Sequence, residues 1–196
     1  MSKVINITFA GVGGQGILLA SDMTANVLIS AGYDVKQSEI HGMSQRGGSV
    51  VSDLRFGRKV YSPLIPKGET DILIAFERLE GLRSIPLLRP GGIAVVSDEI
   101  ILPVGCSATD YPADALERIA AEAGEAIIVN ATETAVRAGN ARAANMVLMG
   151  ILSCLLQVKE NIWLSAIRER FNGKIFEINE KAFNLGREHQ VMAVTR

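Results

Sequence analysis

Val4-Ile5-Asn6-Ile7-Thr8-Phe9-Ala10 runs directly into Gly11-Val12-Gly13-Gly14-Gln15-Gly16 and then into Ile17-Leu18-Leu19. The first seven residues are short, apolar and β-branched, and read as a buried strand. The glycines that follow read as a tight turn. From residue 17 to about residue 30 the pattern changes to a helix, with Leu19, Met23 and Val27 four residues apart on one face. Gly32 is a helix stop, and residues 33–39 read as a second strand. Strand, glycine turn, helix and strand in this order open a doubly wound α/β fold with a mostly parallel, Rossmann-like sheet.

Working outward, residues 49–56 alternate as a half-buried strand, and Gly57-Arg58 reads as a hairpin turn returning through residues 59–62. Apolar strands are expected at 71–76, 93–97 and 126–130, with helices at 79–88 and 113–123. Residues 141–158 are apolar nearly all round and predict a central helix. Residues 162–171 and 177–189 read as amphipathic helices. The expectation is one α/β domain over residues 1–196 with a helical C-terminal third.

The chain has 196 residues, 48% of them hydrophobic, which suffices for one full core. Twenty Lys and Arg stand against twenty-one Asp and Glu, so the formal charge is -1. That balance offers no electrostatic case for nucleic acid or an anionic membrane. Arg46, Arg55, Arg58 and Lys59 are close enough in sequence for a local basic patch. No signal peptide is read at the N-terminus, because Asn6 and Thr8 interrupt the apolar run. The longest apolar stretch, 146–158, is too short to span a bilayer. Cys106 and Cys154 form no metal or disulfide pattern, and Cys154 reads as a buried thiol in the apolar helix. A reducing cytoplasm fits this cysteine usage.

Two segments are candidates for function. Gly11, Gly13, Gly14, Gln15 and Gly16 fall within a G-x-G-x-x-G pattern between strand and helix. Such a turn lets backbone approach a ligand and presents helix N-terminal amides to an anion. Three readings stay open for it: a phosphate-bearing ligand, a nicotinamide or flavin dinucleotide, or a turn that only packs helix on strand. A dinucleotide site wants an acid at the end of the second strand, and Glu39 is the only candidate. The second segment is His41-Gly42-Met43-Ser44-Gln45-Arg46-Gly47-Gly48. His41 can exchange a proton or donate a hydrogen bond, and Arg46 can fork onto a carboxylate or phosphate. Gly42, Ser44, Gln45 and Gly47 complete a polar loop that reads as a ligand contact, a subunit contact or a solvated surface. Both segments leave the same sheet edge and are expected to share one crevice. No metal site is expected, and no residue stands out as catalytic.

Together these segments resemble the gamma domain of the 2-oxoacid:ferredoxin oxidoreductases. Residues 4–18 look like its opening. The run from Glu39 to Val50 looks like the indolepyruvate branch, whose small (beta) subunit carries this domain alone. Gly139-Asn140-Ala141-Arg142, Asn145-Met146-Val147 and the stretch from Asn179 to Gly186 also match, so the resemblance covers nearly the whole chain. Ala141 departs from it, where proline is expected.

The resemblance implies a division of labour. Such enzymes oxidatively decarboxylate a 2-oxoacid with coenzyme A, giving an acyl-CoA, carbon dioxide and reduced ferredoxin. It implies that thiamine diphosphate and iron–sulfur clusters sit in a large alpha subunit, and that this chain binds none of them alone. Two isolated cysteines agree, since a four-iron cluster needs four ligands. The chain would help to shape and close an active site whose reactive atoms belong to its partner. A self-contained NAD- or FAD-dependent oxidoreductase and a scaffold that binds nothing are the alternatives. Which 2-oxoacid is used, and whether two copies of the chain form a homodimer, stay open.

Overall fold

The computed structural model describes residues 4–41, 48–103 and 105–194. Its centre is a six-stranded sheet in the order β2-β3-β1-β4-β5-β6. The strands are β1 (Ile5–Val12), β2 (Asp34–His41), β3 (Ser49–Gly57), β4 (Thr70–Ala75), β5 (Leu88–Ser97) and β6 (Glu125–Val129). β1, β4, β5 and β6 pair in parallel. β3 runs antiparallel to both β1 and β2. Five strands therefore share one direction and β3 alone opposes them, which is the expected mostly parallel sheet with one antiparallel strand inserted.

That placement corrects one detail. β3 does not turn at Gly57-Arg58 into a returning strand. Instead β2 and β3 form the hairpin, joined by residues 42–48, and β3 separates β2 from β1. After Gly57 the chain runs as a loop, held by Arg55, whose guanidinium donates to the carbonyls of Ser62 at 3.1 Å and Leu64 at 2.7 Å. Arg55 also donates to Asn6 Oδ1 at 2.9 Å, and Lys59 pairs with Asp34 at 3.2 Å. Two of the four residues of the expected basic patch are thus tied into local structure.

Helices cover both faces, so β1 and β4 are buried along nearly their whole length rather than alternating between buried and exposed residues. On one face Ile7, Phe9, Ile72, Ile74 and Val95 meet α1 (Ile17–Ser30), α4 (Ala131–Ala138), α5 (Ala144–Leu155), α6 (Glu160–Arg170) and α7 (Gly173–Val194). On the other, Ala10, Leu73, Ala75, Ala94 and Val96 meet α2 (Arg78–Ser84) and α3 (Ala115–Glu122). The pleat sends successive side chains to opposite cores.

α5 and α7 cross with backbone nearly touching backbone. A Cβ on Gly150 would lie 2.1 Å from the Phe183 carbonyl oxygen, and one on Gly186 would lie 2.1 Å from that of Val147. Only glycine at both positions permits this approach. Cys154, one turn beyond Gly150, is exposed rather than buried. Among the described residues, no helix is long and apolar enough to cross a membrane.

Candidate functional site

The chain moves from β1 toward one side of the sheet through α1, and from β4 toward the other through α2. A crevice opens at the C-terminal ends of β1 and β4, the usual ligand position in open α/β sheets. The glycine turn, the return of the β2–β3 hairpin and the start of α2 meet there.

The glycine turn is braced from within. The Val12 amide donates to Gln15 Oε1 at 2.8 Å, and Gln15 Nε2 donates to the Phe76 carbonyl at 2.8 Å. The Gln15 amide donates to the Val12 carbonyl at 3.2 Å. Gln15 therefore links the end of β1 to the residue after β4. The Gly13 amide donates to the Gly48 carbonyl at 2.9 Å, which ties the turn to the hairpin return. Two backbone donors that a ligand could have used, at Gly13 and Gln15, are taken by the protein itself.

The glycines divide by cause. A Cβ on Gly11 would lie 2.8 Å from both Gln15 Oε1 and Phe76 Cβ. Gly16, at φ 78°, would place a Cβ 2.6 Å from Asn145 Nδ2. Both are glycine because neighbouring protein leaves no room. Gly14, at φ 107°, has no atom within 4 Å of its built Cβ, so the turn geometry alone demands it and its face is open. α1 begins without a side-chain cap and without an acid in its first turn.

The hairpin return supports a shared crevice at its described ends. His41 pairs with Val50 as the last residue of β2, and Ser49 pairs with Val12. Gly42, Ser44, Gln45, Arg46 and Gly47, named above as candidate contacts, lie outside the described residues, as does Met43. Glu39 lies on β2 opposite Ser52 of β3. With β3 inserted, it stands two strand spacings from β1, about 10 Å. A dinucleotide fold needs its ribose-binding acid on the strand beside β1, so this sheet order disfavours that arrangement.

A cluster not visible in the sequence sits on the α2 side. Glu77 is fully buried, caps α2 by accepting the Glu80 amide at 2.9 Å, and accepts from the Ile101 amide at 3.3 Å. The Tyr111 hydroxyl also donates to Glu77, and itself accepts from the Leu79 amide at 3.0 Å. Burial, followed by the adjacent Glu77 carboxylate, pushes the Tyr111 hydroxyl well above its usual range. Glu80, also buried, accepts from Ser49 Oγ at 2.5 Å and from Arg83 at 2.6 Å. Ser49 follows Gly48, so Glu80 and Gly13 hold adjacent residues of the hairpin return. The one local sign of this cluster was a carboxylate, Glu77, just after a core strand. Its partners beyond α2 lie 24 and 34 residues further on.

Both cysteines are free and exposed. Among the described residues no three His, Cys, Asp or Glu side chains converge to hold a metal.

The family model for pyruvate ferredoxin/flavodoxin oxidoreductase matches residues 6–189. The chain is 38% identical over 191 residues to the indolepyruvate oxidoreductase subunit IorB of Thermococcus kodakarensis, covering 94% of this chain and 95% of that one. It is 39% identical over 196 residues to the subunit of the same name from Pyrococcus horikoshii, with the same coverage. Among solved structures it is similar to the gamma subunit of a keto/oxoacid ferredoxin oxidoreductase from Geobacter sulfurreducens. That match has a TM-score of 0.72 at 23% identity, over 96% of this chain and 99% of the other. It also matches 2-oxoglutarate:ferredoxin oxidoreductase of Magnetococcus marinus, with a TM-score of 0.77 at 23% identity, over 98% of this chain and 32% of the longer one.

Proposed function

This chain belongs to the pyruvate ferredoxin/flavodoxin oxidoreductase family, and from that premise we propose that it is the small subunit of an indolepyruvate-type 2-oxoacid:ferredoxin oxidoreductase. The observation that carries this reading is the end-to-end similarity to two IorB subunits, which covers nearly all of both partners. The assembled enzyme would cleave the bond between the carboxyl and carbonyl carbons of an arylpyruvate. Carbon dioxide leaves, the acyl group passes to the coenzyme A thiol, and two electrons pass to ferredoxin.

The redox and decarboxylation chemistry belongs to a large partner subunit that holds thiamine diphosphate and iron–sulfur clusters. The residues of this chain do not suit a cluster. Cys106 follows the left-handed Gly105 in a loop after β5, and Cys154 lies on α5. A four-iron cluster takes four thiolates. The contribution of this chain is a wall of the active site. The open face at Gly14 and the segment from His41 to Gly47 would meet coenzyme A or the partner, with Gln15 bracing the turn and Gly13 and Glu80 holding Gly48 and Ser49. Free, exposed cysteines suit a reducing cytoplasm.

The test is reconstitution. The purified chain alone should be colourless and inactive in a coenzyme A-dependent arylpyruvate assay with a dye acceptor. Mixed with the large subunit, it should co-purify and raise turnover. Turnover by the chain alone, or no association with the large subunit, would overturn the proposal.

A further inference from the structure

A second cavity, of about 260 Å³, lies on the helical face, away from the α2 side of the sheet edge. Its walls come from α1, the turn entering α5, and the first turns of α7. Four polar side chains reach it, Asn140, Arg142, Asn145 and Asn179, and no Asp or Glu lines it.

Two of these have their polar groups engaged. Asn140 Oδ1 accepts from the Arg142 amide at 3.0 Å, capping the turn, and Asn179 Nδ2 donates to the Ile175 carbonyl at 2.8 Å. The other two do not. Asn145 is only 5% exposed, yet among the described residues its side-chain amide makes no hydrogen bond. The Arg142 side chain is exposed, and among the described residues it has no carboxylate partner. The amide faces the cavity rather than closed protein, so an acceptor bound there would supply the hydrogen bond that no neighbouring residue does. The first turn of α5 carries no acid, and neither does that of α7, so no side chain offsets the positive ends of the two helices.

The facing wall is apolar: Leu19, Phe171, Ile175 and Ile178. Ile175 is 60% exposed at the rim. The volume falls below the ~300–1,000 Å³ of drug-sized sites, which suits one ring or a short branched chain and excludes a nucleotide.

We propose that this cavity binds a small amphipathic carboxylic acid, its carboxylate on Arg142 and the Asn145 amide and its apolar body against Phe171, Ile175 and Ile178. The acid is held by charge and amide donors at one end and by apolar burial at the other. Because a Cβ on Gly16 would touch Asn145 Nδ2, the Asn145 amide also lies against the glycine turn, and occupancy is transmitted there. The site does not depend on the subunit assignment above.

The experiment is a titration of the full chain with 3-phenylpropionate, followed by amide chemical shifts. The amides of Arg142, Asn145, Asn179 and Gly16 should shift together and saturate. Arg142→Gln should weaken binding about tenfold or more, the loss of one charge-assisted hydrogen bond. Ile175→Glu, a surface change that sets a negative charge at the mouth, should weaken it as well. Neutral 3-phenylpropionamide should not saturate these shifts, nor should acetate. No saturable shift at these residues, equal binding by Arg142→Gln, or inorganic phosphate binding as well as the acid would each overturn the proposal.

Discussion

Replacing Gly186 with alanine should push α7 off α5. The new Cβ would lie 2.1 Å from the Val147 carbonyl oxygen and 2.9 Å from its carbon. Ordinary contact starts near 3.4 Å, so the helices must separate by roughly 1 Å, a gap that forfeits a quarter to a half of each dispersion well. Val147, Met146, Ala182 and Phe183 are fully buried in this contact. Overpacking of this kind costs about 1–3 kcal/mol, occasionally more, whereas alanine in a helix interior returns about 0.8–1.0 kcal/mol relative to glycine. The expected net loss is about 1 kcal/mol, or about 0.5 M in urea midpoint at an m-value near 2 kcal/mol/M. Trp163 is the only tryptophan, fully buried, with its ring 5.9 Å from Phe183, so its fluorescence follows this packing directly. Gly81→Ala is the control. Its Cβ meets only side-chain atoms, Ala75 Cβ at 3.0 Å and Ile119 Cδ1 at 3.2 Å, and propensity offsets much of that crowding. Gly150→Ala should match Gly186→Ala, and the double variant should lose less than the sum, because separated helices accommodate the second methyl. A Gly186→Ala midpoint no lower than that of Gly81→Ala would refute the reasoning.

Gln15→Ala removes the partner of both the Val12 amide and the Phe76 carbonyl; about 2 kcal/mol of lost stability in urea unfolding is expected, and an unchanged midpoint would mean that the brace contributes nothing. The Asp34 carboxyl is held down to about 2 by the Val60 amide first and then by Lys36 and Lys59. A depressed carboxyl stabilises above its unfolded value near 4 and loses that contribution as pH falls toward 2, so the stability gap between wild type and Asp34→Asn should close across that window; a gap that does not vary with pH counts against the assignment. Arg46→Ala should leave thermal unfolding nearly unchanged while weakening association with the large subunit or raising the coenzyme A requirement. Arg46→Lys separates geometry from charge, since lysine lacks the fork. A large stability loss without either functional change would make Arg46 structural.

Periodicity and glycine punctuation sufficed for β1, α1, β4 and β5, because these elements are decided by burial on both faces of the sheet. The insertion of β3 was beyond their reach. An alternating strand reveals that it is half-buried, but not which neighbour it pairs with or in which direction. α4 was missed although Asn130 caps it by accepting from the Glu133 amide; its eight residues are too short and polar for periodicity to register. Cys154 illustrates the limit of an apolar run. Val147, Leu148 and Ile151 are buried, whereas Cys154, next to the last residue of the same helix, is exposed. At the site, the glycine turn was legible as a turn, but its division into packing glycines and one open glycine depends on Phe76 and Asn145, which are remote in sequence. Glu77 and Tyr111 meet only because β5 and the loop after it fold back over α2.

The position of β1 bears on how the molecule acquires its shape during synthesis. It leaves the ribosome before the other five strands of this sheet, yet both its neighbours are made later: Phe9 sits beside Ser52 on one side and Ile74 on the other. Until β3 and β4 have been translated, its row of peptide groups and the side chains of Ile7 and Phe9 have no sheet to join. Pairings between segments so distant in the chain are slow to form, since loop closure precedes any reward from contact. A nascent chain emerged from the exit tunnel to near residue 45 would therefore expose a sticky apolar strand, and one emerged past residue 80 would hold its central ladder. Force-release or protease-pulse measurements on ribosome-bound chains of those two lengths would register protection of β1 only in the second.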